Sequence, residues 1–148
     1  MKKKRLKAKE VNRQLAEYNL NLNKKDQVEL LDNKYIVING EISFFDYENK
    51  KAPSLKYLQK HPVLKKITID MGAVKFVVNG AEVMRPGITA IEKGINANEL
   101  IMVVDEKNKV PLAVGIALFN SEDMLKAKSG KVIKNIHQVG DEIWNMKV

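Results

Sequence analysis

The stretch GAEVMRPGI, residues 80–88, sets two glycines, a proline and an arginine around a short apolar run. A strand that simply enters a hydrophobic core does not need Gly80, Pro86 and Gly87 in so short a span. One interpretation is a strand between two tight turns, which glycine and proline favour. The other is a backbone left bare so that a ligand can approach it closely. The residues of this stretch alone leave both open.

Side chains that form catalytic or metal sites are sparse in the chain. It has no cysteine, and its two histidines, His61 and His137, lie far apart with no carboxylate at metal-ligand spacing. A thiol nucleophile is therefore excluded, and a metal site or a histidine-based triad is disfavoured. Neither GxGxxG nor GxxxxGK[ST] occurs, so no phosphate-binding loop of those kinds is indicated. We predict a protein that is not an enzyme and that uses no metal or cofactor.

The positive charge is concentrated in the first half of the chain. The net charge is +8; residues 1–65 carry 15 Lys/Arg against 8 Asp/Glu, whereas residues 66–148 carry 11 against 10. A basic surface attracts phosphate polyanions, although a solvated lysine-rich surface has the same composition. No apolar run has the length of a membrane span, and no apolar signal segment follows the basic start. We therefore expect a cytoplasmic protein without a membrane partner.

Charge and glycine content both change near KHPVLKK, residues 60–66, which predicts two domains, 1–65 and 66–148. In the first domain, Val11, Leu15 and Tyr18 recur at helical spacing and predict a helix over 6–19. Turn signals at Asp32-Asn33 and Asn39-Gly40 predict a three-stranded antiparallel meander over about 27–46. PSLKYLQK predicts a short helix with Pro53 near its first turn. The first domain is thus predicted to be α+β.

The second domain is predicted to be mostly β-strand. KITID, 66–70, is a strand, and NELIMVVDEKNKVPLAVGIALF is a hairpin whose return strand Pro111 opens. MGAVKFVVNG fits a strand or a helix equally well. Ser121 is a candidate cap for a helix at SEDMLKA, and KVIKNIHQV and EIWNM are predicted to be the last two strands. Short strands with glycine turns favour a small closed or nearly closed barrel.

The stretch DMGAVKFVVNGAEVMRPGI, 70–88, resembles the opening of PUA domains, the small RNA-binding pseudobarrels. The resemblance continues through VVDEKNKVPLAVGIALFNSEDM, and the ending KNIHQVGDEIWNMK is similar to the malignant T-cell amplified sequence and ligatin family of translation factors, in a compact archaeal-type form. It implies an α+β fold: a small N-terminal domain of a helix plus an antiparallel meander, followed by a PUA pseudobarrel. It also implies a helix over 72–79 that ends at Gly80 with positive φ. Pro86-Gly87 would then form a type II turn.

The resemblance implies a non-enzymatic RNA-binding protein of the translation machinery. Its partner would be structured RNA, either rRNA of the small ribosomal subunit or tRNA, in initiation or in ribosome recycling. One alternative is an accessory subunit that delivers tRNA or rRNA to an RNA-modification enzyme. Another is a protein-interaction adaptor that has lost RNA binding, which the near-neutral second half favours. The N-terminal domain is also a candidate docking surface for a protein partner.

Site residues follow from the resemblance position by position, on the first PUA helix, the glycine-containing segment after it and a late strand. The RNA-binding residues expected in this way are Gly72, Ala73, Lys75, Asn79, Gly80, Ala81, Arg85, Pro86, Gly87, Lys134, His137 and Gln138. Lys75 and Arg85 would supply charge to phosphates that approach the bare backbone. Electrostatic contact with RNA or a protein partner is expected from Lys2, Lys3, Lys4, Arg5, Lys7, Lys9 and Arg13. We expect Phe76, Val83, Met84 and Trp144 to pack in the fold instead.

Overall fold

The computed structural model describes all 148 residues, which form two β-sheets. The N-terminal sheet is antiparallel, with strand order β1-β2-β3-β4-β5. Its strands are β1 (Lys3–Arg5), β2 (Val28–Leu31), β3 (Tyr35–Ile38), β4 (Glu41–Tyr47) and β5 (Lys50–Pro53). Its helices are α1 (Ala8–Gln14), which a 3-10 turn at Ala16–Tyr18 follows, and α2 (Leu55–Lys60).

The predicted meander is the centre of this sheet. Asp32, Asn33, Asn39 and Gly40 all have positive φ, as the two predicted tight turns require. The outer strands β1 and β5 were not predicted. The KKR sequence of β1 has no apolar alternation because all three residues are exposed at a sheet edge.

The first helix packs as its spacing predicts, although it is shorter than 6–19. Val11, Leu15 and Tyr18 are buried, and the Tyr18 hydroxyl donates a hydrogen bond to the carbonyl oxygen of Lys51 at 2.6 Å. Pro53 lies near the first turn of α2, as predicted, but outside the helix. It ends β5, and the hydroxyl of Ser54 caps α2 by accepting a hydrogen bond from the Tyr57 N–H.

The C-terminal sheet is a nearly closed pseudobarrel with strand order β7-β11-β10-β9-β6-β8. Only the β6–β9 pair is parallel. The strands are β6 (Lys65–Ile69), β7 (Val83–Met84), β8 (Ile88–Ile91), β9 (Leu100–Asp105), β10 (Pro111–Ala117) and β11 (Lys131–Gln138). The helices are α3 (Met71–Val77), α4 (Ser121–Lys126) and α5 (Glu142–Asn145). No helix combines the length and the apolar character that crossing a membrane requires.

Two local predictions in this half are wrong. The cap of α4 is Asn120, whose side-chain oxygen accepts a hydrogen bond from the Asp123 N–H at 2.8 Å, while Ser121 is buried. EIWNM forms helix α5 instead of a strand. Asp141 starts that helix by accepting a hydrogen bond from the Trp144 N–H at 2.9 Å, and no neighbouring strand pairs with the segment.

The two sheets share an apolar core. One of its clusters combines residues from β4, β5 and α2 with residues from β9 and β10: Phe45, Ala52, Leu55, Leu58, Leu100, Met102, Val104, Val114 and Ile116. Half-buried Ile143 and Trp144 of α5 pack against the same cluster, so Trp144 packs as expected. The division of the chain at 65/66 stays a prediction.

His137 joins three segments at this junction. It is fully buried in β11, and its Nε2 accepts a hydrogen bond from the Leu55 N–H in the first turn of α2 at 3.1 Å. Its Nδ1 therefore carries the proton and donates to Asp141 Oδ2 at 2.7 Å. Asp141 lies four residues after His137 and was not predicted as its partner. No group of three or more His, Asp or Glu side chains could hold a metal ion. Both ring nitrogens of His137 are engaged in contacts that join β11 to α2 and to the start of α5.

The pKa of Asp141 is set by opposing effects. Burial raises it, but hydrogen bonds from His137 and from the N–H groups of Trp144 and Gln138 together outweigh burial and lower the pKa. A carboxyl group with a lowered pKa stabilises the fold above its usual pKa of 3.8, and this stabilisation is lost as the pH falls through the folded-state value.

We expect Asp141→Asn to lower the free energy of unfolding by about 1.5–3 kcal/mol near neutral pH, because it removes a charged hydrogen-bond acceptor. In urea titrations, this difference in unfolding free energy should shrink as the pH falls from about 5 to about 2, because the wild-type carboxyl itself becomes protonated. The control is Asp46→Asn, which breaks an exposed ion pair with Lys51 and should cost about 1 kcal/mol or less. A pH-independent difference for Asp141→Asn would contradict the assignment.

Candidate nucleic-acid interface

Helix α3 forms where the resemblance implies a helix, although it ends two residues earlier than expected, at Val77. Asp70 caps its first turn, where its Oδ1 accepts a hydrogen bond from the Ala73 N–H at 2.8 Å. Gly80 follows the last turn with φ +95°, a conformation that residues with a Cβ rarely adopt. The expected helix over 72–79 is therefore confirmed as Met71–Val77, with the predicted glycine after it.

The segment Arg85–Gly87 differs from the prediction. It is a 3-10 turn and not a type II turn, and Gly87 lacks the positive φ that a type II turn would need. Glycine is required there for another reason. A Cβ on Gly87 would lie only 3.0 Å from the Cβ of Ala73, so the bare backbone lets this turn pack directly on α3.

A groove of about 440 Å³ lies between α3 and the segment 81–87; we call it the α3 groove. It brings together five of the residues expected to bind RNA: Gly72, Ala73, Ala81, Pro86 and Gly87. The exposed Asn79 and Gly80 follow the helix directly. The side-chain amide of Gln138 lies beside Gly80, because its Nε2 is 3.3 Å from the position that a Cβ on Gly80 would take.

Two apolar walls of the α3 groove were expected to be core residues, and that expectation is wrong. Phe76 is 59% exposed and Met84 is 47% exposed, whereas Val83 is buried as predicted. The packing of α3 explains the difference for Phe76. Ala73 and Val77, four residues apart, already form the inward face of α3, so the neighbouring Phe76 must point elsewhere.

The charged residues of the groove lining are both acidic, and both are engaged. Asp70 caps α3, and Glu82 Oε1 accepts a hydrogen bond from the Asn135 N–H at 3.1 Å. Lys75 is exposed beside the groove, with its Nζ 5.2 Å from the centre of the Phe76 ring. The groove is therefore apolar inside, with one available cation at its side.

Arg85 is less available to a phosphate than the sequence analysis expected. Its Nε donates a hydrogen bond to the carbonyl oxygen of Met124 at 2.6 Å, and its Nη1 donates to that of Ile88 at 3.3 Å. The guanidinium thus ties the 3-10 turn to α4 and β8. Arg85 therefore contributes to the candidate site by holding this turn in position.

Strand β11 divides the remaining expected residues. His137 is fully buried, so its predicted contact with RNA is wrong: its two ring nitrogens are used at the sheet junction. Lys134 is exposed, with its Nζ 5.5 Å from the centre of the Tyr47 ring of the N-terminal sheet. Of the two, only Lys134 can meet a ligand.

Asn135 positions the loop after α3, and sequence reasoning missed it. Its Nδ2 donates hydrogen bonds to the carbonyl oxygens of Val77 and Ala81, both at 3.0 Å. An asparagine within a predicted strand carries no sequence signal for this role. The contacts depend on β11 running beside the 77–82 segment, more than 50 residues earlier in the chain.

The expected electrostatic residues lie on the N-terminal half and do not line the α3 groove. Arg5, Lys7 and Lys9 border a separate groove together with Lys24. The others are exposed outside that lining: Lys2, Lys3, Lys4 and Arg13.

We expect Asn135→Ala to loosen the loop after α3. It removes two hydrogen bonds but also a buried, unpartnered Oδ1, so the net loss in unfolding free energy should be roughly 1 kcal/mol. Hydrogen exchange at the amides of 78–82 should become faster. Asn145→Ala, which removes a side-chain hydrogen bond to the Gly140 carbonyl, is the matched control and should leave those amides unchanged. Equal exchange in both variants would refute this role.

Two family models match the chain, one in each half. The model described as the PUA domain matches residues 65–139. A model described as a domain of unknown function, DUF1947, matches residues 1–61.

Three relatives match most of the chain. An uncharacterized protein of Methanocaldococcus jannaschii is 44% identical over 128 residues, covering 84% of this chain and 79% of the relative. Translation machinery-associated protein 20 of Saccharomyces cerevisiae is 32% identical over 136 residues, covering 84% and 75%. Malignant T-cell-amplified sequence 1 of Rattus norvegicus is 33% identical over 133 residues, covering 84% and 73%.

Solved structures agree with this fold. A hypothetical protein from Pyrococcus horikoshii OT3 matches with a TM-score of 0.84 at 30% identity, covering 99% of this chain and 100% of that chain. A chain of an H/ACA RNP bound to a substrate RNA matches with a TM-score of 0.53 at 26% identity, covering 65% of this chain but 29% of that chain. The chain therefore belongs to the PUA-domain proteins, in the family of the malignant T-cell-amplified sequence and translation machinery-associated proteins.

Proposed function

We propose that the protein binds structured RNA of the translation machinery, through the α3 groove. The RNA is rRNA of the small ribosomal subunit or tRNA held on it, in initiation or in ribosome recycling. The name of one relative, translation machinery-associated protein 20, refers to the translation machinery. The H/ACA RNP structure supports RNA as the ligand, because it contains both a similar chain and a substrate RNA. This role requires no catalysis, and it places the protein in the cytoplasm.

The observation that carries the proposal is the combination of exposed apolar groups and a nearby cation. The ring of Phe76 and the side chain of Met84 border the groove, and Lys75 lies beside Phe76. An exposed aromatic ring can stack on an unpaired base, which contributes about 1–3 kcal/mol. Lys75 then meets the phosphate next to that base, while the acidic lining of the groove disfavours a phosphate inside it.

Delivery of RNA to a modification enzyme is the second candidate. The likeness to the H/ACA RNP chain favours it, but the present chain covers only 29% of that chain. The two functions differ in the partner that co-purifies. Small ribosomal subunits support the first, whereas a separate modification enzyme without subunits supports the second.

We expect the purified protein to co-sediment with small ribosomal subunits, less so at higher salt because lysines meet phosphates. Phe76→Ala should weaken this binding roughly 5- to 100-fold, the loss of one base stack. The measurement is sedimentation across a protein titration at two salt concentrations.

The matched control is Phe119→Ala, since Phe119 is 45% exposed and lies outside the groove lining. Arg85 is left intact because its guanidinium supports the turn. If the two phenylalanine variants bind equally well, the α3 groove is not the RNA-binding surface.

A further inference from the structure

We propose that a second groove, on the N-terminal half, binds the phosphate backbone of RNA. This β1–α1 groove lies between the segment 5–12 and the segment 22–26, and its volume is about 730 Å³. The inference rests on the proposed function only in taking RNA as the ligand. It names a separate surface that the α3 groove does not include.

Four cations border the β1–α1 groove from two sides. Arg5, Lys7 and Lys9 come from β1 and the start of α1, and Lys24 comes from the facing loop. All four are exposed, and none takes part in the four ion pairs of the structure. Their charge is therefore free to meet an external anion.

Asp26 is the one acidic residue in the lining beside these four cations. Asp26 accepts a hydrogen bond from the Asn23 N–H at 2.9 Å through Oδ2, and from the Asn39 side-chain amide at 3.0 Å through Oδ1. The carboxylate thus serves the turn that ends the loop, and the groove retains a net charge of about +3. A polyanion gains from this charge by releasing its own counterions.

The two sides of the groove are held at a fixed spacing. The Asn12 side chain bonds to both backbone groups of Leu22: its Nδ2 donates to the carbonyl at 2.8 Å and its Oδ1 accepts from the N–H at 2.9 Å. The Leu6 N–H donates to the Val28 carbonyl at 2.8 Å. The backbone that carries the cations is therefore held in place, and a ligand does not have to order the loop that carries Lys24.

The two grooves have opposite chemistry. The α3 groove has an apolar lining whose charged members, Asp70 and Glu82, are acidic. The β1–α1 groove has a basic rim with apolar groups from Leu6 and Leu22 between the cations. The first suits an unpaired base and the second suits phosphates, so the N-terminal half supplies the electrostatic affinity that the near-neutral second half lacks.

The test measures binding of a fluorescein-labelled oligouridylate by anisotropy over a series of salt concentrations. The variant is Arg5→Gln/Lys7→Gln/Lys9→Gln/Lys24→Gln in the full chain. Each lost contact with single-stranded RNA should reduce the slope of log K against log salt by about 0.7, so we expect a reduction of about 2–3. The control makes the same change in net charge at exposed positions elsewhere and should leave most of the slope of log K against log salt. It is the variant Lys107→Gln/Lys109→Gln/Lys126→Gln/Lys128→Gln.

Three results would overturn the inference: equal slopes for the two variants, an unchanged slope in the groove variant, or no binding by the wild type. Polyglutamate serves as a competitor at equal charge concentration. If polyglutamate displaces the labelled probe as effectively as unlabelled oligouridylate does, the groove is assigned to an acidic protein segment instead. Oligouridylate is bound without ribosomes, so this result is independent of the sedimentation experiment. If the groove variant binds normally but Phe76→Ala does not, the proposed function stands and this inference fails.

Discussion

A buried imidazole connects parts of the chain that are 82 residues apart. His137 accepts a hydrogen bond from the first turn of α2 and donates one to Asp141, the residue that starts α5. A neutral imidazole has one donor and one acceptor, and here both are used. Because leaving either nitrogen unpaired in the core would cost about 1–3 kcal/mol, the two hydrogen bonds favour the observed arrangement of α2, β11 and α5.

That arrangement makes the two sheets one unit. The apolar cluster around Phe45 and Leu55 from the N-terminal half and Met102 and Val114 from the second half spans the junction, in addition to the clusters that each half forms by itself. Helix α5 lies across the same junction, with Ile143 and Trp144 half-buried against it. The α3 groove and the β1–α1 groove therefore belong to halves of the chain that pack against each other.

Several residues that could serve a ligand are used to build the site instead. Arg85 supports the 3-10 turn through two carbonyl oxygens, and Gly87 lets that turn pack on Ala73. Asn135 holds the loop between α3 and β7 from the neighbouring strand. The groups left free at the surface are mostly apolar or lysine. Under the proposed function, RNA would be recognised here by shape and stacking, since few polar groups remain to recognise base edges.

The sequence by itself determined the features that depend on neighbouring residues. Asn39-Gly40 forms its tight turn, because such turns involve residues within four positions of one another. Helix α3 and the positive φ of Gly80 followed only from the resemblance, since the local pattern fitted a strand or a helix. Only the tertiary structure decided which side chains face outward. His137 is buried and Phe76 is exposed because of what packs beside them, and EIWNM is a helix because no strand is available to pair with it. These outcomes depend on contacts between distant segments, which local residue patterns do not specify.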